Sequence, residues 1–143
     1  MGKLTGIQVE VFLFFEGRCE EALEFYREAA GAEVLDLMRY RDAPETSPQE
    51  QKAPPDKVMY ASFRLGDSTV MASDGTCQGP AEFRGFNLTL SAPDAEHAGR
   101  IFQALSEGGR VVMPLAPTFY SPCFGMLVDR FGVGWMVMAA PAP

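Results

Sequence analysis

Few side chains in this sequence have both the type and the setting that acid–base or nucleophilic chemistry needs. A general acid or base is a carboxylate, histidine or tyrosine with a tuned pKa in a partly buried place. Glu16, Asp74, Asp129, Tyr40 and Tyr120 meet the first requirement. Glu16 and Asp129 stand beside glycine turns, where acids are ordinary turn formers. Asp74 directly follows a strand-like run through Met71, which would set it at the mouth of a cavity. Catalytic residues are therefore unknown, with Asp74 and Tyr40 as the candidates. Cys123, in Ser121-Pro122-Cys123-Phe124, has a nucleophile's sulfur but no partner histidine, and reads as an inert buried thiol. His97, the single histidine, is expected mid-helix as a surface or packing residue. Arg39 and Arg41 beside a loop could meet an anionic substrate, but exposed strand-end arginines are usually only solvated.

Bulk properties narrow the classes further. The 143 residues suffice for one well-buried core and not for two ordinary domains. A net charge of −7 offers no basic footprint for nucleic acid or an anionic membrane. No apolar run is long enough to span a bilayer, and the N-terminus lacks the apolar core of a secretory signal. Cys19, Cys77 and Cys123 form no C-x-x-C pair, which argues against a disulfide framework or a thiolate metal cage. A cytoplasmic location is expected.

The elements that must position these residues come as a duplication. An apolar strand at Ile7–Phe15, reading as buried on both faces, is followed by a helix over Cys19–Ala30 with Ala22, Leu23, Phe25, Tyr26 and Ala29 on one stripe. Gly31 stops that helix, and a strand over Glu33–Tyr40 follows. Arg41–Lys57, with Pro44, Pro48, Pro54 and Pro55, reads as a long surface loop, either a lid or disordered. Val58–Leu65 and Ser68–Ser73 make a hairpin around Gly66-Asp67. The pattern then recurs. A strand begins at Asn87, and a helix runs from Asp94 through Glu107 with Ser91 or Asp94 as its cap. A loop carries Pro114 and Pro117 to about Pro122. A hairpin of Cys123–Val128 and Gly134–Ala139 closes the second half, and the tail Pro141-Ala142-Pro143 should fray. The expected fold is α+β: two paired βαβββ modules forming a curved mixed sheet around a concave cavity. A single domain covers 1–143, with module one at about 5–75, a linker at 76–84 and module two at about 85–140.

Several stretches carry a family resemblance: Phe14-Phe15-Glu16-Gly17 with Ala22-Leu23-Glu24-Phe25-Tyr26, Met38-Arg39-Tyr40, Leu65-Gly66-Asp67-Ser68 with Met71-Ala72-Ser73-Asp74, and Phe124 through Val133 with Trp135-Met136. In these the chain resembles the vicinal oxygen chelate superfamily of glyoxalases, bleomycin resistance proteins and dioxygenases, and within it the PhnB-like subgroup. The resemblance implies a homodimer. It also implies that a metal-dependent member would draw His, Glu or Gln ligands from the first and last strands of each module. Counting along the chain puts those positions at Val11 and Asn87, and at Met71 and Met136, with Leu13 and Ser73 as near alternatives. None is a hard-metal ligand, since methionine is a soft thioether suited to Cu(I). No metal and no cofactor are expected. The subgroup is sometimes labelled demethylubiquinone methyltransferase, but no glycine-rich turn opening a helix supports a methyl-donor site.

The concave surface is expected to be lined by a subset of Val11, Leu13, Met38, Tyr40, Met71, Ser73, Asn87, Phe119, Tyr120, Phe124, Met126, Trp135 and Met136. Eight methionines are many for this length, and Met suits an adaptable apolar surface. The leading expectation is a protein that binds a small apolar or aromatic molecule in a metal-free cavity. The alternatives are an enzyme acting on a small carbonyl or phosphonate-type substrate and a ligand-free structural dimer module.

Overall fold

The structure, a computed structural model, describes residues 5–45, 47–48 and 50–141. The element order is β1 (Phe12–Phe14), α1 (Cys19–Ala30), β2 (Glu33–Arg39), β3 (Val58–Leu65), β4 (Ser68–Ser73), β5 (Leu88–Ala92), α2 (Ala95–Ser106), β6 (Arg110–Ala116), β7 (Phe124–Val128) and β8 (Gly134–Ala139). Each half builds a four-stranded mixed sheet, in the orders β1-β4-β3-β2 and β5-β8-β7-β6. In both, the first strand pairs in parallel with the last, and the remaining pairs are antiparallel. The sheets are not closed into a barrel.

Local signals account for the helices. Helix α1 buries Cys19, Ala22, Leu23, Phe25 and Tyr26, spaced three and four apart on one stripe. Gly31 ends it in the left-handed region at φ 71°, where a glycine has no side-chain penalty. Helix α2 is capped by Asp94, whose carboxylate accepts from the backbone N–H of His97. Ser91 lies instead in β5.

Three expectations need correction. The first strand is short, and Ile7–Val11 is not strand. It lies at a sheet edge with β4 as its one neighbour, and one face is open: Leu13 and Phe15 are buried while Phe12 and Phe14 are exposed. Pro114 sits inside β6, not in a loop. That strand is an edge with register shifts on both sides of Met113, where a missing N–H leaves no ladder bond unmade. His97 stands in the first turn of α2, not its middle, with its ring Nδ1 2.7 Å from Asp94 Oδ1. The stretch Arg41–Lys57 is pinned at its base by Arg41 N–H to Pro55 O and Tyr40 N–H to Lys57 O, and it holds a short 3-10 turn at Glu50–Lys52. Residues 46 and 49 of that loop, and Ala142 and Pro143 of the tail, lie outside the described residues.

One core joins the halves. Leu13, Phe15, Tyr26 and Phe63 of the first belong to the same cluster as Phe102, Leu127, Phe131, Trp135 and Val137 of the second. At its centre the Tyr26 hydroxyl donates to Asp129 Oδ2 at 2.6 Å. Trp135 Nε1 donates to the same oxygen at 2.9 Å, and the backbone N–H groups of Phe131 and Val133 donate to Oδ1. Burial, and then the Asp129 charge, push the Tyr26 hydroxyl pKa well above its usual 10.0. Around this joint the Phe131 ring meets Phe15, Phe25 and Tyr26, the Arg18 guanidinium lies over Phe131, and Arg130 lies over Phe25.

A second buried carboxylate organises the first half. Asp74, 1% exposed, accepts the N–H groups of Gly17 (3.0 Å), Cys19 (2.7 Å) and Val58 (2.7 Å). It thereby caps the N-terminus of α1 from a position 55 residues away in sequence. Glycine suits the next position: Gly75 has φ +61°, in the left-handed region, and a Cβ there would also displace the Glu16 carboxylate.

These two carboxylates set two predictions. Asp74→Ala strands buried N–H donors, each costing about 1–3 kcal/mol, so thermal unfolding should fall by roughly 10 °C. Tyr26→Phe should cost about 1–2 kcal/mol in urea unfolding near neutral pH. It should also change the alkaline limb. Below pH 10.0 Tyr26 is protonated in both folded and unfolded chains; above it the unfolded chain ionises while the buried hydroxyl keeps its proton, so stability falls as pH rises. The Phe variant should lose that part of the slope, read from urea midpoints above pH 10.0.

Candidate functional site

Strand pairing sorts the side chains of each sheet onto two faces, because neighbours across a ladder point the same way. In the first sheet, Leu13, Ala72 and Ala61 form one row and are buried in the core. The opposite face carries Phe12, Met71 and Ser62, then Phe14, Ser73 and Tyr60, with Met38 opposite Tyr60. The Phe12 ring lies 4.9 Å from that of Phe14 and 6.2 Å from that of Tyr60, which makes an aromatic patch. In the second sheet, Leu88, Trp135 and Leu127 face the core. The opposite face carries the row Thr89, Met136, Met126, Met113 and, beside it, Ser91, Met138, Phe124, Ala116. The Thr89 hydroxyl donates to Met136 Sδ at 3.7 Å.

The expected lining divides accordingly. Met38 and Met71 lie on the open face of the first sheet, and Met126 and Met136 on that of the second, where Phe124 shares the parity but is 6% exposed. Ser73 shares the open-face parity but is 2% exposed, with its hydroxyl accepting from Gly75 N–H and directed at Val58 O. Phe119 and Tyr120, in the loop before β7, meet edge to face, and Tyr120 meets Phe124 in the same way. Leu13 and Trp135, at 1% and 2% exposure, belong to the core and not to an open face. With a side-chain period of two, a one-residue error in register transfers a residue to the opposite face. The same slip affects Val11: the true partner of Met71 is Phe12. The partner of Met136 is Thr89, two residues beyond Asn87, whose Oδ1 occupies the space a Cβ on Gly134 would need. Phe12, Phe14, Tyr60, Met113, Met138, Thr89 and Ser91 were missed. Counting back in register from Met71 and Met136 would have found the first-strand members.

The acid–base candidates lie elsewhere. Asp74 is saturated by backbone donors, and Tyr40, 8% exposed, donates to Gly75 O at 2.5 Å. Burial raises the Tyr40 pKa. Asp129 is committed to the joint between the halves. Cys123 packs partly against the core, and the Cys19 thiol is pushed up to about 12 by burial and then by Asp74. Arg39 pairs with Glu20 at 2.8 Å and with Asp56 O. Burial also raises the Cys77 thiol.

In register, the first and last strands of each half pair Phe12 with Met71 and Thr89 with Met136. Phenyl, thioether and hydroxyl groups do not fit a hard divalent cation. Among the described residues no three His, Cys, Asp or Glu side chains gather in metal-binding proximity. A separate groove of about 790 Å³ runs between the β5 edge and the β3–β4 turn, and it takes in Val11, Asn87 and Trp135 of the expected lining. No helix among the described residues is long and apolar enough to cross a membrane.

Comparison with known proteins places this geometry. The pattern of the family described as 3-demethylubiquinone-9 3-methyltransferase matches residues 7–138. Protein YjdN of Escherichia coli is 32% identical over 133 residues, 88% of this chain and 90% of YjdN. The crystal structure of PA1353 from Pseudomonas aeruginosa is 35% identical, covers 94% of this chain and 98% of its own, and superposes with a TM-score of 0.80. A PhnB protein from Bacillus cereus, described as a putative 3-demethylubiquinone-9 3-methyltransferase, is 27% identical over 94% of this chain and 100% of its own, with a TM-score of 0.77. At 13% identity, a glyoxylase/bleomycin resistance protein/dioxygenase domain from Frankia shares the fold alone, over 97% of this chain and 100% of its own, with a TM-score of 0.61. The chain belongs to the PhnB-like 3-demethylubiquinone-9 3-methyltransferase family, with the vicinal oxygen chelate fold of glyoxalases, bleomycin resistance proteins and dioxygenases.

Proposed function

We propose that the chain binds a small apolar or aromatic molecule, without a metal, between open sheet faces brought together in a homodimer. The observation that carries this reading is where the methionines lie. None belongs to the core cluster of described residues; Met38, Met71, Met113, Met126, Met136 and Met138 take open-face positions, and Met59 alone shares the strand parity of core-facing Ala61. A flexible, polarisable side chain on an accessible face suits ligands of irregular shape.

The dimer follows from the same faces. The open faces keep Phe12, Phe14, Met38 and Met113 at 37–51% exposure. An exposed apolar surface of this kind marks an interaction site. Pairing the first sheet of one copy with the second sheet of another would enclose an aromatic wall against a thioether wall.

Two other readings draw less support. An enzyme built on Asp74 or Tyr40 is disfavoured, because both are buried and hydrogen-bonded to backbone. The family description names methyl transfer, and a methyl-donor cofactor needs a binding loop. The N-terminus of α1, the usual place for such a group, is already filled by the Asp74 carboxylate, and the β1–α1 turn Glu16-Gly17 is not glycine-rich. The residues there do not fit such a group.

The test is thermal unfolding against a panel of aromatic and cationic compounds, with and without EDTA. A ligand at about a hundredfold excess over its Kd should raise Tm by roughly 5–10 °C, and EDTA should leave that shift intact. Met136→Lys should abolish it. A panel without any shift would favour the ligand-free dimer module, and a shift lost on chelation would count against a metal-free cavity. Light scattering should give twice the chain mass, and Phe14→Glu should return the monomer; a wild-type monomer would defeat the dimer reading.

A further inference from the structure

We propose that the open face of the second sheet carries a thioether site for a soft monovalent cation, Cu(I), built from Met113, Met126 and Met136. The ladder β6–β7 sets Met113 opposite Met126, and β7–β8 sets Met126 opposite Met136. Directly opposed side chains on one face have Cβ atoms about 5 Å apart. The three methionines therefore occupy one row of paired positions across three strands, with β6 irregular on both sides of Met113. Met138, one step along β8 and diagonal to Met126, starts at roughly 7–8 Å and offers a fourth sulfur.

The chemistry of this row is selective. A thioether is soft and uncharged, so it suits Cu(I) and gives little to Zn, Mg or Ca. Its rotatable stem lets the outer residues lean toward the middle one. Met113 is 46% exposed, and Met126 and Met136 are half-buried, so an ion can reach the sulfurs while the sheet shields one side. The Thr89 hydroxyl donates to Met136 Sδ, which uses one sulfur lone pair and leaves the second for a metal. The net charge of −7 favours a cation over an anion. The first sheet provides an internal contrast: Met71 lies between Phe12 and Ser62, with no second sulfur beside it in the row. This site stands on one sheet and needs no dimer; it shares Met113, Met126 and Met136 with the face proposed for the small molecule, so the two ligands would exclude each other.

The competing soft ligands are thiols. Cys19 is fully buried, and Cys77 and Cys123 are partly exposed. The experiment therefore uses the full chain with Cys77→Ser and Cys123→Ser, titrated anaerobically with Cu(I) against a chromogenic Cu(I) chelator. Thioethers have no proton to lose, so affinity should be the same at about pH 5.5 and about pH 7.5, whereas thiolate ligation would weaken at the lower value. Met126→Leu conserves volume and should fold, which far-UV circular dichroism checks. It should weaken Cu(I) binding at least about tenfold, and Met113→Leu should do the same on an independent strand. Met71→Leu should leave affinity unchanged. Unchanged affinity in both Met126→Leu and Met113→Leu, loss of binding with the two thiols, or a tenfold fall at the lower pH would each overturn the site.

Discussion

The Asp129 carboxylate holds the two halves of this protein to each other. It is buried, and it takes the hydroxyl of Tyr26 from the first half together with the Trp135 indole and two backbone N–H groups from its own turn. A buried charge persists only when its hydrogen-bonding capacity is filled. Donors from both halves fill this one, so the helix of one half and the last hairpin of the other share one arrangement. The aromatic rings of Phe15, Phe25 and Phe131 exclude water from the joint, and the guanidinium groups of Arg18 and Arg130 cover its rim.

With the helix sides of both sheets committed to this core, the opposite faces are left open. That division explains the distribution of residue types. Leu, Val, Ala and aromatic side chains with defined rotamers fill the core, and six methionines with the exposed aromatics occupy the open faces. The first and last strands of each half pair Phe12 with Met71 and Thr89 with Met136, so the open faces offer contact area and soft sulfur and not charged donors.

How far the site could be read in advance depended on the range of the signal. The strand–helix–strand–hairpin pattern is local, so the duplication, both hairpins and the Gly31 stop were legible. The face of β1 was not. Phe12 and Phe14 alternate with Leu13 and Phe15, and when both parities are apolar the alternation carries no direction. Pro114 reads locally as a breaker, yet an edge strand with a bulge accommodates it. Asp74 and Asp129 read as turn acids or catalytic candidates, because the groups that engage them include Gly17, Cys19 and Tyr26, 55 to 103 residues away.

The amino-acid sequence by itself determined the elements, their repetition and the family, since each rests on spacings within a few residues or on motifs read in order. It also determined that the chain is rich in methionine. Tertiary structure alone decided which side of each sheet stays open, which carboxylates are locked into backbone donors, and that methionines on three different strands line up in one row. The reason is physical: side-chain parity and hydrogen-bond saturation are set by packing between segments distant in the chain, and no local pattern encodes that contact.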